Sequence, residues 1–368
     1  MNSFIEYHKI RLTTISPVFV GSGRELSKKE YLFLDDFKTV GVLDVYKFYD
    51  FVRKKGLSKQ FEQFFLNDVK GSLRNWVKDK NISNQKIKEC LRYTLDCGDT
   101  TLRRGVKPQI MEYVKDPYGM PYIPGSSLKG MLRTILLYYS ISNNQSAFEN
   151  TREKIDYKLR HSRKSRSILN SEVKELEGTF FNILNREEKR TLDAKNDCMA
   201  GLIIGDSKPV ECNKLILCQK VDRKVDGSEK TLNILRECIK PQVTLEFSII
   251  IDKKIFPFDV EDIKKAIQIF DDEYYNCFVS KFAKMDRRER NVVYLGGGSG
   301  FVSKTVMYPL YGEKEAIDKT IAVFDKINVP ANHKHNMDRR DGVSPHIIKC
   351  TRWNDRIYQM GQCTIEID

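Results

Sequence analysis

The chain has 368 residues, of which 40% are hydrophobic, and it contains 21 glycines and 11 prolines. At roughly 150 residues per domain this length favours about two domains, and the composition excludes a mostly disordered chain, a collagen and a mini-protein. Its 63 lysines and arginines exceed its 50 aspartates and glutamates, for a net charge of +13. Such an excess favours a polyanionic partner, nucleic acid or an acidic membrane surface. The alternative is a soluble protein from a lysine-rich proteome.

The cellular compartment is predicted from the lack of membrane-span, secretory-signal and disulfide patterns in the sequence. No run of about 18 apolar residues occurs, so nothing predicts a membrane span, and the first residues lack the pattern of a secretory signal. The nine cysteines are odd in number and show no CxxC spacing, which argues against a disulfide framework and against a zinc site. We therefore expect a cytoplasmic protein with mostly buried thiols and no membrane partner.

The N-terminal part is predicted to begin with strands and continue with helices. Residues 9–15 alternate polar with apolar side chains, which predicts a strand. Tyr31–Leu34 and Thr39–Leu43 resemble the two arms of a hairpin. Asp44 is a suitable N-cap, and apolar residues at three- and four-residue steps then predict helices to about residue 95.

A proline-rich entry at residues 121–130 precedes the next predicted helix. The prolines favour an extended backbone, and Ser126 or Ser127 is expected to cap the helix. Lys129 and Arg133 lie away from its apolar face, near its N-terminal end. Such an end suits a phosphate; an ordinary capped core helix is the alternative.

Residues 142–198 differ from the rest in composition. Residues 152–166 contain seven lysines or arginines against two acids, which predicts a solvated or flexible insertion. Strand-like patterns resume at residue 201, so we place a domain boundary near residue 200. The predicted domains are residues 1–200 and 201–368.

The second half is predicted to contain strands, one long helix and a closing strand. Residues 240–251 give the clearest period-2 run, and apolar residues recur at helical spacing from Val260 to Met285. A glycine-rich segment follows at residues 295–301. Residues 357–367 alternate like a strand that ties the chain end into a sheet.

The glycine-rich segment does not match a nucleotide motif. Its G-S-G-F-V-S-K-T run carries Ser303 where the P-loop pattern needs glycine, and the element before it is predicted to be a helix instead of a buried strand. Phe301 likewise breaks the dinucleotide fingerprint. Exposed glycine N–H groups beside Lys304 can still meet phosphates. A tight turn packed against a neighbouring strand is the alternative.

No histidine is predicted to act in catalysis or to bind a metal. His333 and His335 lack partners that complete a ligand set, and nothing near His8, His161 or His346 marks a general base. The sequence therefore predicts no catalytic residue, no metal and no cofactor. Basic residues are concentrated shortly before the C-terminus. They could contact RNA or belong to a solvated loop, and the sequence does not distinguish these two interpretations.

These landmarks together resemble the RAMP superfamily of CRISPR-associated proteins. The resemblance is carried by residues 16–23, by the Y-I-P-G-S-S-L-K-G-M-L-R run at 122–133 and by Gly296 to Gly300. Residues 344–346 and the ending at 358–363 are most similar to the fifth-subunit family of the type III-A Csm effector complexes.

The resemblance implies an α+β fold of two ferredoxin-like, RRM-related modules with helical insertions. It also implies a non-catalytic subunit that binds the 3′ region of the CRISPR RNA and caps one end of the backbone filament. The implied partners are the backbone RAMP subunits and small subunits of the Csm complex, target RNA, and host nucleases in RNA maturation. The early loop carries Glu25 but no Asp before Asp35, so we do not carry over the target-RNA cleavage of the backbone subunit.

Charge, glycine content and resemblance together give a set of residues expected to bind RNA. They are Gly21, Ser22, Gly23, Lys129, Arg133, Gly296, Gly297, Gly298, Ser299, Gly300, Lys304, Arg339, Arg340 and Arg352. Tyr31, Phe33 and Tyr122 could stack on bases or belong to the core. Two other functions stay open: a metal-independent endoribonuclease that processes precursor CRISPR RNA, and a protein assembly module whose basic surface is incidental.

Overall fold

The computed structural model describes residues 4–34, 38–68, 71–101, 108–285 and 289–368. The predicted α+β class is confirmed. In chain order the strands are β1 Ile5–Thr14, β2 Gly21–Leu26, β3 Tyr31–Leu34, β4 Thr39–Leu43, β5 Leu91–Asp96, β6 Gln109–Tyr113, β7 Leu202–Ile204, β8 Leu215–Lys224, β9 Glu229–Ile239, β10 Thr244–Asp252, β11 Val292–Tyr294, β12 Ile347–Trp353, β13 Arg356–Gln359 and β14 Gln362–Ile367.

The α-helices of the described residues lie between groups of strands. They are α1 Val45–Lys54, α2 Ser58–Asn67, α3 Leu73–Asp79, α4 Asn84–Glu89, α5 Gly125–Asn143, α6 Glu149–His161, α7 Asn170–Phe181, α8 Val260–Cys277, α9 Met307–Lys326 and α10 Asp338–Asp341. The predicted N-cap at Asp44 is confirmed, because its side chain accepts a hydrogen bond from the Lys47 amide at 3.1 Å.

The first sheet is antiparallel, with strand order β11-β14-β1-β10-β7. Its central strand β1 alternates as predicted: Ile10 and Leu12 are fully buried, whereas Arg11 between them is exposed. Helices α5 and α8 pack against each other, with the rings of Tyr138 and Phe270 5.2 Å apart. The long apolar stripe of α8 therefore belongs to the main core.

The second sheet follows the order β2-β6-β9-β8-β5-β4-β3, and β12 joins it by pairing with both β8 and β13. The predicted hairpin of β3 and β4 is confirmed. Helices α1–α4 lie between β4 and β5 in sequence and form a separate aromatic core with that hairpin. Its centre is Phe48, Phe61 and Trp76, whose ring centroids lie 5.3–5.9 Å from one another.

Both sheets combine strands from the two sides of residue 200. In the first sheet, β1 lies between β10 and β14, and in the second β6 pairs with β9. The division into residues 1–200 and 201–368 stays a prediction about domains, as do the two ferredoxin-like modules. Any such modules must share strands across the middle of the chain.

Two predictions about helix ends are wrong. Helix α5 begins at Gly125 behind Pro124, so neither Ser126 nor Ser127 caps it. The Gly125 N–H instead donates to Asp206 Oδ1 at 2.8 Å, so a carboxylate occupies the position expected for a phosphate. Helix α8 ends at Cys277 and not near Met285, because a short 3₁₀ turn follows it.

The predicted flexible insertion is also wrong. Residues 149–161 form α6, and Thr151, Ile155 and Leu159 are buried on one face of it. Three buried residues at four-residue spacing, two of them apolar, make a stripe too narrow to stand out within a strongly basic stretch. This stretch is thus folded, and helix α6 packs against α7 and α9.

The cysteines are free, and most of them are buried, as predicted. Among the described residues, no helix combines the length and apolarity needed to cross a bilayer.

Candidate nucleic-acid interface

The glycine-rich loop begins directly after the buried strand β11 and closes against the segment before β2. The Gly297 N–H donates to the Phe19 carbonyl at 2.7 Å. A Cβ atom on Gly296, whose φ is +80°, would lie 2.1 Å from the same oxygen, so only glycine fits. The predicted packing of a tight turn on a neighbouring segment is therefore present. The sequence expectation of a helix before this loop is wrong; the mismatch of Ser303 with the P-loop pattern remains.

Part of this loop has amides available to a ligand. Within the described chain, the N–H groups of Gly298 and Gly300 donate to no backbone carbonyl. Ser299 faces inward, is 1% exposed, and donates its hydroxyl to the Gly296 carbonyl at 3.1 Å. The loop thus has a packed side at Ser299 and backbone N–H groups that can donate hydrogen bonds to a phosphate oxygen.

Two cations lie beside the glycine-rich loop. Arg236 on β9 reaches the edge of Gly298, donates to Met360 Sδ at 3.6 Å and lies over the Phe19 ring at 5.5 Å. Lys304 follows the loop and is exposed. Within the described residues, neither side chain forms an ion pair with a carboxylate. Their charge is therefore available to an anionic ligand.

Strands β8 and β12 add two further cations on the same face of the second sheet. Lys349 lies directly opposite Asp222 in the strand register, and its ammonium is 2.9 Å from that carboxylate. Lys220 is 3.8 Å from the same acid. We call Lys220, Arg236, Lys304 and Lys349 the basic cluster. Asp222 is shared by two of its four cations, so the cluster keeps a net positive charge.

Desolvation, and after it mutual repulsion, lower the pKa values of two lysines of the basic cluster. Desolvation lowers the pKa of Lys304, and the neighbouring Arg236 charge lowers it further. Desolvation likewise lowers the pKa of Lys220, with Lys349 and Arg236 adding to the effect against the opposing influence of Asp222. Cations held together without enough acids are stabilised when an anion binds.

The predicted Gly21, Ser22 and Gly23 form the exposed start of β2 and meet the glycine-rich loop through Phe19. The structure thus brings together two glycine segments nearly 280 positions apart in the sequence. Acids lie close to this segment, because Arg24 pairs with Glu30 and Glu112.

Lys129 and Arg133 lie elsewhere, on α5. The Arg133 guanidinium is 2.9 Å from Glu177 and 2.7 Å from Asp197, and it stacks over Phe181 at 4.1 Å. These contacts join α5 to α7, so Arg133 has a structural role inside the protein. Burial lowers the pKa of Lys129. RNA contact by these two residues stays a prediction.

The predicted arginines near the C-terminus each have a carboxylate partner. Arg339 is 2.6 Å from Asp318, Arg340 is 3.0 Å from Asp341, and Arg352 pairs with Glu229. Their side chains are exposed, so RNA contact by them stays a prediction.

Of the aromatic residues considered for base stacking, Tyr31 belongs to the core. It is 7% exposed, donates to the Pro108 carbonyl, and burial raises its pKa to about 12. Phe33 packs edge-on against it.

A histidine cluster adjoins the basic cluster. His335 and His346 both direct Nδ1 at the buried carboxylate of Asp338, which also accepts the Ser344 hydroxyl at 2.5 Å. Burial would raise the pKa of Asp338, but hydrogen bonds from His335, His346 and Ser344 lower it to about 2. The sequence prediction considered His333 with His335 and missed Asp338 and His346.

The sequence prediction also missed Lys220 and Arg236, and Lys349 belongs to the basic residues that it noted before the C-terminus without assigning them a site. One signal was present: Lys220, Asp222 and Lys349 alternate with buried residues along their strands, which places the three on one face. The β8–β9 pairing is a local hairpin with Asp226-Gly227 in its turn, but the position of Lys349 depends on the pairing of β8 with β12, which lies far along the chain and which no local pattern specifies.

Comparison with known families gives one match that spans most of the chain. The family model of the RAMP superfamily matches residues 11–303, which include both glycine segments and Arg236. Lys304 follows the matched range directly.

Curated relatives cover most or all of the chain. A protein named "CRISPR system Cms protein Csm5" from Mycobacterium tuberculosis is 28% identical over 400 residues, covering 100% of this chain and 99% of the relative. The protein of the same name from Streptococcus thermophilus is 27% identical, covering 81% of this chain and 79% of the relative.

Two solved structures share the fold. A chain in the cryo-EM structure of a Csm–crRNA–target RNA ternary complex of a type III-A CRISPR–Cas system superimposes with a TM-score of 0.63 at 19% identity, covering 98% of this chain and 100% of that one. The crystal structure of T. onnurineus Csm5 gives a TM-score of 0.59 at 18% identity, covering 96% and 99%.

Proposed function

Because this chain belongs to the RAMP superfamily, we propose that it is a non-catalytic, RNA-binding subunit of a type III-A Csm effector complex. Its relatives of matching length carry the name Csm5, and one structural neighbour is a chain of a Csm complex with crRNA and target RNA. The finer role is to bind the 3′ region of the CRISPR RNA and to cap that end of the backbone filament. Backbone and small subunits, target RNA and host nucleases are its proposed partners.

The observation that carries the RNA-binding part is the basic cluster beside the glycine-rich loop. Arg236 and Lys304 have no acidic partner among the described residues, while the loop supplies amides at the same place. Cations of this kind neutralise backbone phosphates and bind without regard to sequence. A subunit that must accept guides of any sequence requires this mode of binding.

Charge removal within the basic cluster tests the proposal. We expect Arg236→Gln/Lys304→Gln to weaken binding of a mixed-sequence single-stranded RNA about tenfold or more at low salt. The slope of log affinity against log salt should become shallower by about 1.4, at about 0.7 per lost phosphate contact. Fluorescence anisotropy over a salt series measures both quantities.

A matched control separates the cluster from overall charge. Lys47→Gln/Lys86→Gln removes two exposed lysines from α1 and α4 and makes the same change in net charge. If it weakens RNA binding as much as the cluster variant, the basic cluster is not the RNA site.

The capping and non-catalytic parts have their own tests. Co-expression with the backbone and small subunits should recover a complex that contains a discrete small RNA, and omitting this chain should change the length of that RNA. Purified protein incubated with repeat RNA in EDTA should leave it intact. Specific cleavage there would favour the endoribonuclease alternative, and a lack of RNA affinity at low salt would favour a pure assembly module.

A further inference from the structure

Three potential metal ligands converge near the start of β12. His335 lies in a 3₁₀ turn, Asp338 is the first residue of α10, and His346 directly precedes β12. One ligand atom from each side chain lies within 4.8 Å of the other two. The folding of residues 335–346 into a compact loop is what brings them together.

The burial of this cluster is unusual for charged and titratable groups. Asp338 is fully buried, and His346 is 5% exposed. Nδ1 of His335 lies 3.1 Å from one Asp338 oxygen, and the His346 backbone N–H lies 3.3 Å from the other, which also faces Nδ1 of His346. Two imidazoles therefore point the same nitrogen at one buried carboxylate.

The surroundings leave room for further ligands. A cavity of about 210 Å³ adjoins the cluster and is lined by His333, His335, Lys349 and residues of the glycine-rich loop. The ring of His333 is 5.9 Å from that of His335. Water from the cavity, or the His333 imidazole, can complete the coordination of an ion held by the three buried groups.

We propose that His335, Asp338 and His346 form a binding site for one divalent transition-metal ion of the Zn²⁺ class. Two imidazoles and one carboxylate make a nitrogen–oxygen ligand set that suits zinc and its first-row neighbours better than magnesium or calcium. Three protein ligands leave at least one position open toward the cavity.

Binding has a defined proton requirement. An imidazole ligates a metal in its neutral form, through a nitrogen that carries no proton. Nδ1 of each imidazole faces the Asp338 carboxylate, so an Nδ1 that carries a proton must give it up, to Nε2 or to solvent, before it can bind the ion. Ligation replaces two hydrogen bonds to Asp338 with two metal bonds.

The ion would fix the position of one end of the basic cluster. Lys349 lies three residues after His346 on β12, and His333 lies beside Lys349 and Lys220. The inference does not depend on RNA binding, because metal binding and RNA affinity are measured separately.

The experiment uses the full chain after dialysis against a chelator. We expect titration with Zn²⁺, followed by calorimetry and elemental mass spectrometry, to give one ion per chain. Bound ion should also raise the melting temperature, since a ligand that binds only the folded state stabilises it. His335→Gln and His346→Gln should each weaken Zn²⁺ binding at least tenfold.

His161→Gln, on α6, is the matched control and should bind Zn²⁺ like the wild type. Failure of the wild type to bind one equivalent would overturn the proposal and leave the cluster as a hydrogen-bonded structural network. Unchanged binding in both cluster variants would overturn it as well, because the ion would then lie elsewhere.

Co²⁺ gives a second readout that does not depend on whether a variant folds. Nitrogen and oxygen ligands produce visible d–d bands without thiolate-to-cobalt charge transfer. The wild-type protein should show the d–d bands alone. A charge-transfer band would assign the ion to the cysteines and would contradict the proposal.

Discussion

In the basic cluster, single lysine side chains are less stable in their protonated form than in water, and a bound anion can offset this difference. Lys304 and Lys220 both have lowered pKa values, because each is partly desolvated close to other cations. A phosphate placed among them favours the protonated forms. Because the anion reduces the repulsion among the cations, this repulsion in the free protein contributes to the affinity for an anion.

The lowered pKa of Lys304 predicts a dependence of RNA affinity on pH. The RNA-free protein loses the Lys304 proton at a lower pH than the complex does. At alkaline pH, RNA binding is therefore accompanied by uptake of a proton by Lys304. RNA affinity should therefore fall as pH rises through the lowered pKa of the free protein. Anisotropy titrations at constant ionic strength measure this loss.

Arginine keeps its charge throughout that range. Lys304→Arg should thus retain neutral-pH affinity and reduce the alkaline loss, and Lys220→Arg/Lys304→Arg should reduce it further. An alkaline loss that is identical in wild type and both variants would show that these lysines do not contact the RNA.

At the scale of elements, helix α6 is a folded segment whose Lys- and Arg-rich composition is typical of a flexible one. Its buried Ile155 and Leu159 lie on one face, and helix α6 contacts α7 and α9, while its other faces carry mostly charged side chains of both signs. The hydrogen bond from Tyr311 on α9 to Asp156 at 2.9 Å fixes the helix from a second direction. An insertion of this kind contributes to the stability of the protein.

Leu159→Ala should lower the free energy of unfolding by about 2–5 kcal/mol, because it removes a buried side chain and leaves a cavity. Glu153→Ala, on the exposed side of α6, should change it by less than about 0.5 kcal/mol. Denaturant unfolding of the full chain measures both. Equal, small effects would mean that α6 does not pack as described.

Local patterns predicted the strands and helices better than they predicted the site. Period-2 alternation identified β1, β10 and β14, and helical spacing identified α8, because each of these elements buries one regular face. The basic cluster could not be found in this way. Its members come from four separate elements, and although β8 and β9 form a local hairpin, only the pairing of β8 with the distant β12 brings Lys349 beside Lys220.

The net charge of the whole molecule overstates what is available for RNA. Several cations of residues 152–166 form ion pairs with acids on α7 and α9, and these contacts hold the helical layer together. The pairs are Arg152–Glu315, Lys154–Glu175, Lys158–Glu172 and Lys164–Asp325. Much of the basic character of this stretch is therefore internal, whereas the smaller basic cluster keeps cations without acidic partners among the described residues.

Both sheets contain strands from the two sides of residue 200, and this arrangement gives a prediction for the whole molecule. Residues 1–200 contain β1 but neither of its neighbours, β10 and β14, and residues 201–368 contain those neighbours without the strand between them. The second sheet is divided in the same way at the pairing of β6 with β9. Each fragment alone would expose apolar strand faces and unpaired backbone groups.

We therefore expect residues 1–200 and 201–368, expressed separately, to lack a cooperative unfolding transition in denaturant. Co-expressed fragments should associate and recover one, because association restores both sheets. Circular dichroism and denaturant titration distinguish these states, and the full chain is the reference. If each fragment unfolds cooperatively with a denaturant dependence in proportion to its length, the chain consists of two domains that fold independently, as the division near residue 200 predicts.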